Sequence, residues 1–243
     1  MSKFTRILSI DGGGIRGLIP AKVLAAVEQK LQEKTGNKNA RIADFFDLIS
    51  GTSTGGLLTC IYLCPGLNGS RDRPWFSAEE AVRLYIERGD RIFDLSLWQR
   101  IRSAGGLRDE KYSADAFEET LEDYFGDLRL SDLLKPCLIT AYDIKRRCTV
   151  FFTQHDAKRM ETRDFFLKDV ARAASAAPTY FEAAKIKSLA DVSYPLIDGG
   201  VFANNPALLR PCPELPLKQG AAGSTLRPTL RVSARRRQAA FDQ

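Results

Sequence analysis

The feature that most constrains this chain is a serine between glycines, Gly51-Thr52-Ser53-Thr54-Gly55, placed between a strand-like and a helix-like apolar run. A sharp strand-to-helix turn with a serine at its tip is a nucleophile elbow, whose flanking positions tolerate no large side chain. The N-terminus of the following helix would favour negative charge at that serine. On its own the segment is equally typical of a flexible turn. With its flanking runs it predicts an α/β chain and a candidate nucleophile, Ser53.

A second glycine segment, Asp11-Gly12-Gly13-Gly14-Ile15-Arg16-Gly17, follows a strand signal over 3–10 and precedes a helix pattern over 18–34 that Gly36 closes. Consecutive glycines let backbone N–H groups face a pocket unobstructed. Gly12, Gly13 and Gly14 are therefore predicted to form an oxyanion hole, with Arg16 as a supporting positive charge.

The same loop also fits the G-x-G-x-x-G pattern of dinucleotide-binding sites through Gly12, Gly14 and Gly17. That function requires a second strand that ends in an acidic residue about 20 positions on. Glu28 and Glu33 lie inside the predicted helix instead. The oxyanion loop is the better interpretation, and nucleotide or phosphate binding stays the alternative.

Strand and helix signals alternate through the rest of the chain. Strands are expected over 42–49, 137–142, 147–152 and 194–197, and helices over 54–64, 77–88, 113–125 and 164–175; an irregular apolar and basic stretch, 93–106, is expected to be a loop folded on the core. The last strand ends at Asp198-Gly199-Gly200. Because sites in open α/β sheets gather at the carboxyl ends of strands, Asp198 is expected beside the elbow.

The choice of a base for Ser53 is limited, because the chain has one histidine, His155, and it precedes Asp198. The order serine, acid, histidine of α/β-hydrolases is therefore absent. His155 lies in a polar stretch, 154–158, that is interpreted as an exposed loop. A dyad in which Asp198 takes the Ser53 proton is favoured, provided that partial burial raises the basicity of the carboxylate.

Composition excludes several other classes of protein. The 243 residues contain no apolar run near the 18 residues of a membrane span and no secretory signal, so a cytoplasmic protein, peripheral to membranes, is expected; secretion without a conventional signal stays open. Five scattered cysteines predict neither a disulfide framework nor a metal site. Of the net charge of +6, most falls in 208–243, which holds seven basic and two acidic residues, so no nucleic-acid partner is expected.

Taken together, these motifs resemble the patatin-like phospholipases, which are acyl hydrolases with a Ser/Asp dyad. The similarity covers about 4–207 and rests on the two glycine segments and the acid motif, in the family's order and spacing, and on Ala177-Pro178-Thr179-Tyr180-Phe181 and Asn204-Asn205-Pro206. The resemblance implies a three-layer α/β/α sandwich around a mostly parallel sheet. It also implies hydrolysis of phospholipid, lysophospholipid or other lipid esters at a membrane surface or micelle, with Ser53 as nucleophile, Asp198 as base and no metal or cofactor.

The domain prediction is a catalytic domain over 1–207 and a basic, low-complexity tail over 208–243. After Ala207 the family pattern would continue with a further helix, whereas this chain turns to arginine, proline, alanine and glycine. A truncated or frame-shifted reading frame is the favoured explanation, and a basic tail attracted to membranes is the alternative. An inactive family member is the corresponding functional alternative.

Overall fold

One sheet of seven strands runs through the part of the chain that the computed structural model describes, residues 5–66, 71–89, 110–209 and 230–232. The strands are β1 (Ile7–Ile10), β2 (Leu48–Thr52), β3 (Cys137–Asp143), β4 (Cys148–Phe152), β5 (Ala184–Lys187), β6 (Ser193–Asp198) and β7 (Leu230–Val232). The helices are α1 (Leu18–Thr35), α2 (Ile42–Phe45), α3 (Thr54–Leu63), α4 (Ala78–Glu87), α5 (Glu110–Phe125), α6 (Gln154–Arg159) and α7 (Leu167–Ala174).

The strand order is β5-β6-β3-β2-β1-β7, and β4 also pairs with β3. The centre of the sheet is parallel, because β7, β1, β2 and β3 run in one direction, while β4, β5 and β6 are antiparallel to their neighbours. A parallel strand pair needs a crossover between its members, and α1 and α3 to α5 supply such connections. The predicted α/β class with helices around a mostly parallel sheet is confirmed.

Helix α3 is the central packing element. Every residue of Thr54–Leu63 is buried, which agrees with the apolar character of this helix on all sides. It contacts β2, α7, β1 and the 3-10 turn Gly14–Gly17 that precedes α1. Cys60 on this helix and Cys64 just after it are fully buried core residues. The elbow therefore stands on a helix that has no solvent-facing side.

Glu28 on α1 ties two other helices to the core. The helix ends at Gly36 in the left-handed conformation, as predicted. The Glu28 side chain is 4% exposed and accepts the backbone N–H of Ile42 at 2.8 Å and that of Ala78 at 2.9 Å. These N–H groups begin α2 and α4 and have no acceptor within their own helices. The acidic residue considered for nucleotide binding is thus occupied inside the fold.

Several local predictions were wrong, among them the start of the helix expected over 164–175, which begins at Leu167. The strand expected over 42–49 is a short helix, α2, followed by β2; α2 begins at the N–H that Glu28 caps, an interaction that periodicity does not report. The helix expected to begin at Ser113 begins at Glu110. His155 is not in a loop but in α6, whose first turn is capped by the Thr153 side chain.

Two further predictions are not tested. The stretch 93–106 lies outside the described residues, as does most of 208–243. Within that predicted tail, Leu230–Val232 form β7, which pairs with β1. The boundary at residue 207 stays a prediction.

The two hydrogen bonds of Glu28 lead to a stability prediction. Glu28→Ala leaves two buried N–H groups without their acceptor, so we expect the free energy of unfolding to fall by roughly 2–5 kcal/mol. Urea denaturation measures this change. Glu33→Ala is the matched control, because Glu33 is exposed on the same helix and its side chain accepts from the exposed Gln29; its effect should stay within about 0.5 kcal/mol. Equal effects of the two changes would contradict the capping role.

Candidate active site

Strand β3 brings the elbow and the acid motif together. Thr52, the last residue of β2, pairs with Thr140, and Asp198, the last residue of β6, pairs with Ala141. Because Thr140 and Ala141 are adjacent, the two strands reach neighbouring positions at the carboxyl end of the parallel sheet. Ser53 follows Thr52 directly, so it meets Asp198 there.

Ser53 has the backbone conformation of an elbow. Its φ of 57° and ψ of −126° are rare for a residue with a side chain, and such strain costs about 1–3 kcal/mol. Gly55 permits the turn, because a Cβ there would lie 2.2 Å from the carbonyl oxygen of Ile10 at the end of β1. The turn holds the Ser53 side chain at the surface between α3 and the sheet, where it is half-buried.

The Ser53 hydroxyl lies beside the carboxylate of Asp198 and acts to lower the pKa of that group. Asp198 is 4% exposed, and its Oδ1 accepts the N–H of Gly200 at 2.7 Å. Burial raises the pKa of Asp198 to about 6, while Ser53 and the N–H of Gly200 lower it. The carboxylate is therefore a stronger base than an exposed aspartate, yet it is ionised at neutral pH.

The glycine loop lies against the elbow. A Cβ on Gly12 would lie 3.0 Å from Cβ of Ser53 and 2.5 Å from Oδ1 of Asn204, so only glycine fits. The N–H of Gly12 donates to the carbonyl of Asn204 at 3.0 Å. Gly12 is therefore a spacer whose own N–H is engaged, unlike the donor role expected from sequence. Gly13 and Gly14 remain the candidate oxyanion donors.

Arg16 acts on the loop itself. Its Nε donates to the carbonyl of Gly13 at 3.3 Å, and its backbone N–H reaches the same oxygen at 3.2 Å. The guanidinium is exposed. Arg16 thus holds the backbone of the loop through the Gly13 carbonyl, and its support of an oxyanion stays a prediction.

A chain of buried hydroxyls links the strands under the site. Oγ1 of Thr140 donates to Oγ1 of Thr52 at 2.9 Å, which donates to the carbonyl of Ala203 at 3.0 Å. Both threonines are fully buried. The segment that follows Asp198 is therefore anchored to the residue that precedes Ser53.

His155 lies at the other end of β3. Strand β4 runs antiparallel to β3, and its last residue, Phe152, pairs with Ile139. The chain then enters α6, where the Gln154 side chain donates to the carbonyl of Leu133, before the start of β3. Nε2 of His155 is 3.0 Å from Nη1 of Arg159. The histidine is thus directed away from the carboxyl ends of the strands, where Ser53 and Asp198 lie.

Sequence reasoning missed Thr140 and the contact of Asn204 with the loop. The sequence distinguishes Asn204 only as part of the family resemblance, and its hydrogen-bond partner Gly12 is 192 positions away. Thr140 sits on an apolar strand, where a threonine is unremarkable. For α6 a local signal existed, because Thr153 with Asp156 three positions later is a helix-start pattern.

The described residues contain no group of three or more histidine, cysteine or acidic side chains that could hold a metal ion. Among them there is also no helix with the length and hydropathy needed to cross a bilayer.

Comparison with known proteins identifies the family to which this chain is similar. The patatin-like phospholipase family model matches residues 8–209. Patatin-like protein 2 of Oryza sativa is 40% identical over 213 residues, and patatin-like protein 2 of Arabidopsis thaliana is 41% identical over 210. These matches cover 85% and 84% of this chain but 52% and 51% of the relatives, so the chain spans about half the length of the curated relatives it matches.

The solved structure of VipD from Legionella pneumophila aligns with 84% of this chain and 47% of that chain, at a TM-score of 0.44 and 13% identity. The family model, by contrast, spans both glycine segments and the acid motif, and covers nearly all of the sheet. This chain belongs to the patatin-like phospholipase family.

Proposed function

We propose that this chain hydrolyses carboxylic esters of lipids through an acyl-enzyme on Ser53, with Asp198 as the base. The observation that carries the proposal is the placement of Ser53, by the pairing of β2 and β6 with adjacent residues of β3, beside a carboxylate that is 4% exposed and has a raised pKa. A serine on a strained turn, paired with a buried acceptor, is the arrangement that activates a nucleophile. The printed names of the family and of its plant relatives supply the substrate class.

In the first step Ser53 Oγ attacks the ester carbonyl while its proton passes to Asp198. The carbonyl oxygen becomes an oxyanion, and the amides of Gly13 and Gly14 are the proposed donors to it. Collapse of the tetrahedral intermediate breaks the bond to the alcohol, which takes the proton from Asp198. Water then attacks the acyl-enzyme by the reverse sequence, with Asp198 again accepting and returning a proton.

A carboxylate can serve as base because the serine proton need only be shared with it as attack on the ester proceeds. Desolvation moves the pKa of Asp198 toward neutrality, so proton transfer from Ser53 is less uphill than to an exposed aspartate. The remaining barrier must be lowered by the oxyanion donors. A loop of three glycines packed against the Ser53 side chain agrees with that requirement.

Two contacts weigh against the alternative, a nucleotide or phosphate site at the glycine loop. The N–H of Gly12 is engaged by Asn204, and the carboxylate of Glu28 caps two helices. Titration with NAD or ATP in a calorimeter tests this alternative, for which the hydrolase proposal expects no heat. An inactive family member would be revealed by the absence of turnover in a folded sample.

The first prediction concerns the dyad. Ser53→Ala and Asp198→Asn should each lower kcat/KM for a lipid ester by roughly 1,000-fold or more, because each removes one member of a unit. Labelling by a fluorophosphonate should be lost in Ser53→Ala. His155→Ala is the control and should keep most of the activity. Full activity in Asp198→Asn would rule out the dyad.

The second prediction concerns pH. Asp198 must be ionised to accept a proton, so kcat/KM should fall as the pH drops below an apparent pKa near 6 and level off above it. A histidine would titrate in the same range. The profile must therefore be repeated with His155→Ala, where the acid limb should persist. Disappearance of the limb in that variant would assign it to His155.

The third prediction separates activity from stability. The raised pKa means that ionised Asp198 costs the folded state about 3 kcal/mol relative to the neutral form. Protonation of wild type relieves this cost as the pH falls from about 6 to about 4. Asp198→Asn should therefore unfold at a higher temperature than wild type at pH 8, with the difference vanishing near pH 4. A less stable variant at pH 8 would show that the carboxylate stabilises the fold.

A further inference from the structure

Asn204 contacts the glycine loop with both its backbone and its side chain. Its carbonyl accepts the N–H of Gly12 at 3.0 Å, and its Nδ2 donates to the carbonyl of Gly12 at 3.2 Å. Gly12 is thus held on both of its backbone polar groups by one residue. Such a clamp limits the conformational freedom that a glycine otherwise has.

The clamp reaches the next residue through the peptide plane. The carbonyl of Gly12 and the N–H of Gly13 belong to one planar trans unit, so they point in opposite directions. A hydrogen bond that fixes the Gly12 carbonyl therefore fixes the direction of the Gly13 N–H. In the same way, Arg16 on the carbonyl of Gly13 fixes the direction of the Gly14 N–H.

Asn204 is itself anchored to the elbow. The preceding carbonyl, that of Ala203, accepts from Thr52, which comes directly before Ser53. The chain from Asp198 to Asn204 passes through the turn Gly199–Val201, where a Cβ on Gly199 would lie 2.2 Å from Oγ1 of Thr140. One short segment thus connects the acid, the elbow and the glycine loop.

We propose that Asn204 is a positioning residue that aims the Gly13 N–H at the oxyanion formed on the Ser53 adduct. The inference rests on the proposed ester hydrolysis for its chemical consequence, whereas the clamp on Gly12 stands on geometry alone. Because the donor is needed only when the oxyanion forms, loss of Asn204 affects turnover and not the binding of the ester.

The test compares Asn204→Ala and Asn204→Asp with wild type on one lipid ester. Both variants lack the amide donor to Gly12, and Asn204→Asp keeps the side-chain volume. We expect kcat to fall roughly 10- to 100-fold, the effect of a small misplacement of a catalytic group, with KM changed less than about threefold. The control is Asn205→Ala, which removes a neighbouring turn contact to Ala207 but none to the loop. It should keep a kcat near that of wild type.

Amide hydrogen exchange tests the hydrogen bonds between Asn204 and Gly12 independently of any esterase activity. Peptides that contain Gly12 to Gly14 should exchange faster in both Asn204 variants, while peptides from α3 are unchanged. An unaltered kcat, or equal losses in Asn204→Ala and Asn205→Ala, would overturn the proposal. If wild type shows no esterase activity, the proposed function fails, and exchange alone decides: faster exchange confined to the loop supports the clamp, and unchanged exchange refutes it.

Discussion

The pairing of two strands with adjacent residues of β3 is the constraint on which the site depends. Thr52 opposite Thr140 and Asp198 opposite Ala141 place a serine from one strand and a carboxylate from another within hydrogen-bond reach. A shift of either strand by one residue would turn its side chains to the other face of the sheet. The candidate site therefore depends on the register of these strands as much as on the identity of Ser53 and Asp198.

Two features of this arrangement that would serve the proposed activity reduce the stability of the fold. The strained φ of Ser53 and the desolvated charge of Asp198 each cost the folded state on the order of 1–3 kcal/mol. The surroundings offset these costs, since α3 is buried throughout and the threonine hydroxyls beneath the site are hydrogen-bonded to one another. Strain and burial of this kind gather at functional sites, where they set the geometry and basicity of the reacting groups.

Much of the fold was readable from local patterns. The helix that ends at Gly36, the capping box at Ser77 and Glu80, and the strands that flank the β3–β4 turn all follow from interactions between residues close in sequence. The misread region, 42–49, fails for a definite reason. In α2 the first N–H donates to a carboxylate on another helix, and the Asp44 side chain accepts the N–H of Arg41; hydrophobic periodicity reports neither contact.

The sequence alone determined that this chain carries a serine elbow, a glycine loop and an acidic turn at strand ends, because each depends on the space and dihedral angles of a few neighbouring residues. Only the tertiary structure decided how they work together. The carboxylate rather than His155 lies beside Ser53, and the N–H of Gly12 donates to the carbonyl of Asn204. The hydrogen bond from the Asn204 side chain to the Gly12 carbonyl joins residues that are 192 positions apart. Such contacts are set by strand register and burial, which belong to the assembled sheet and not to any local stretch.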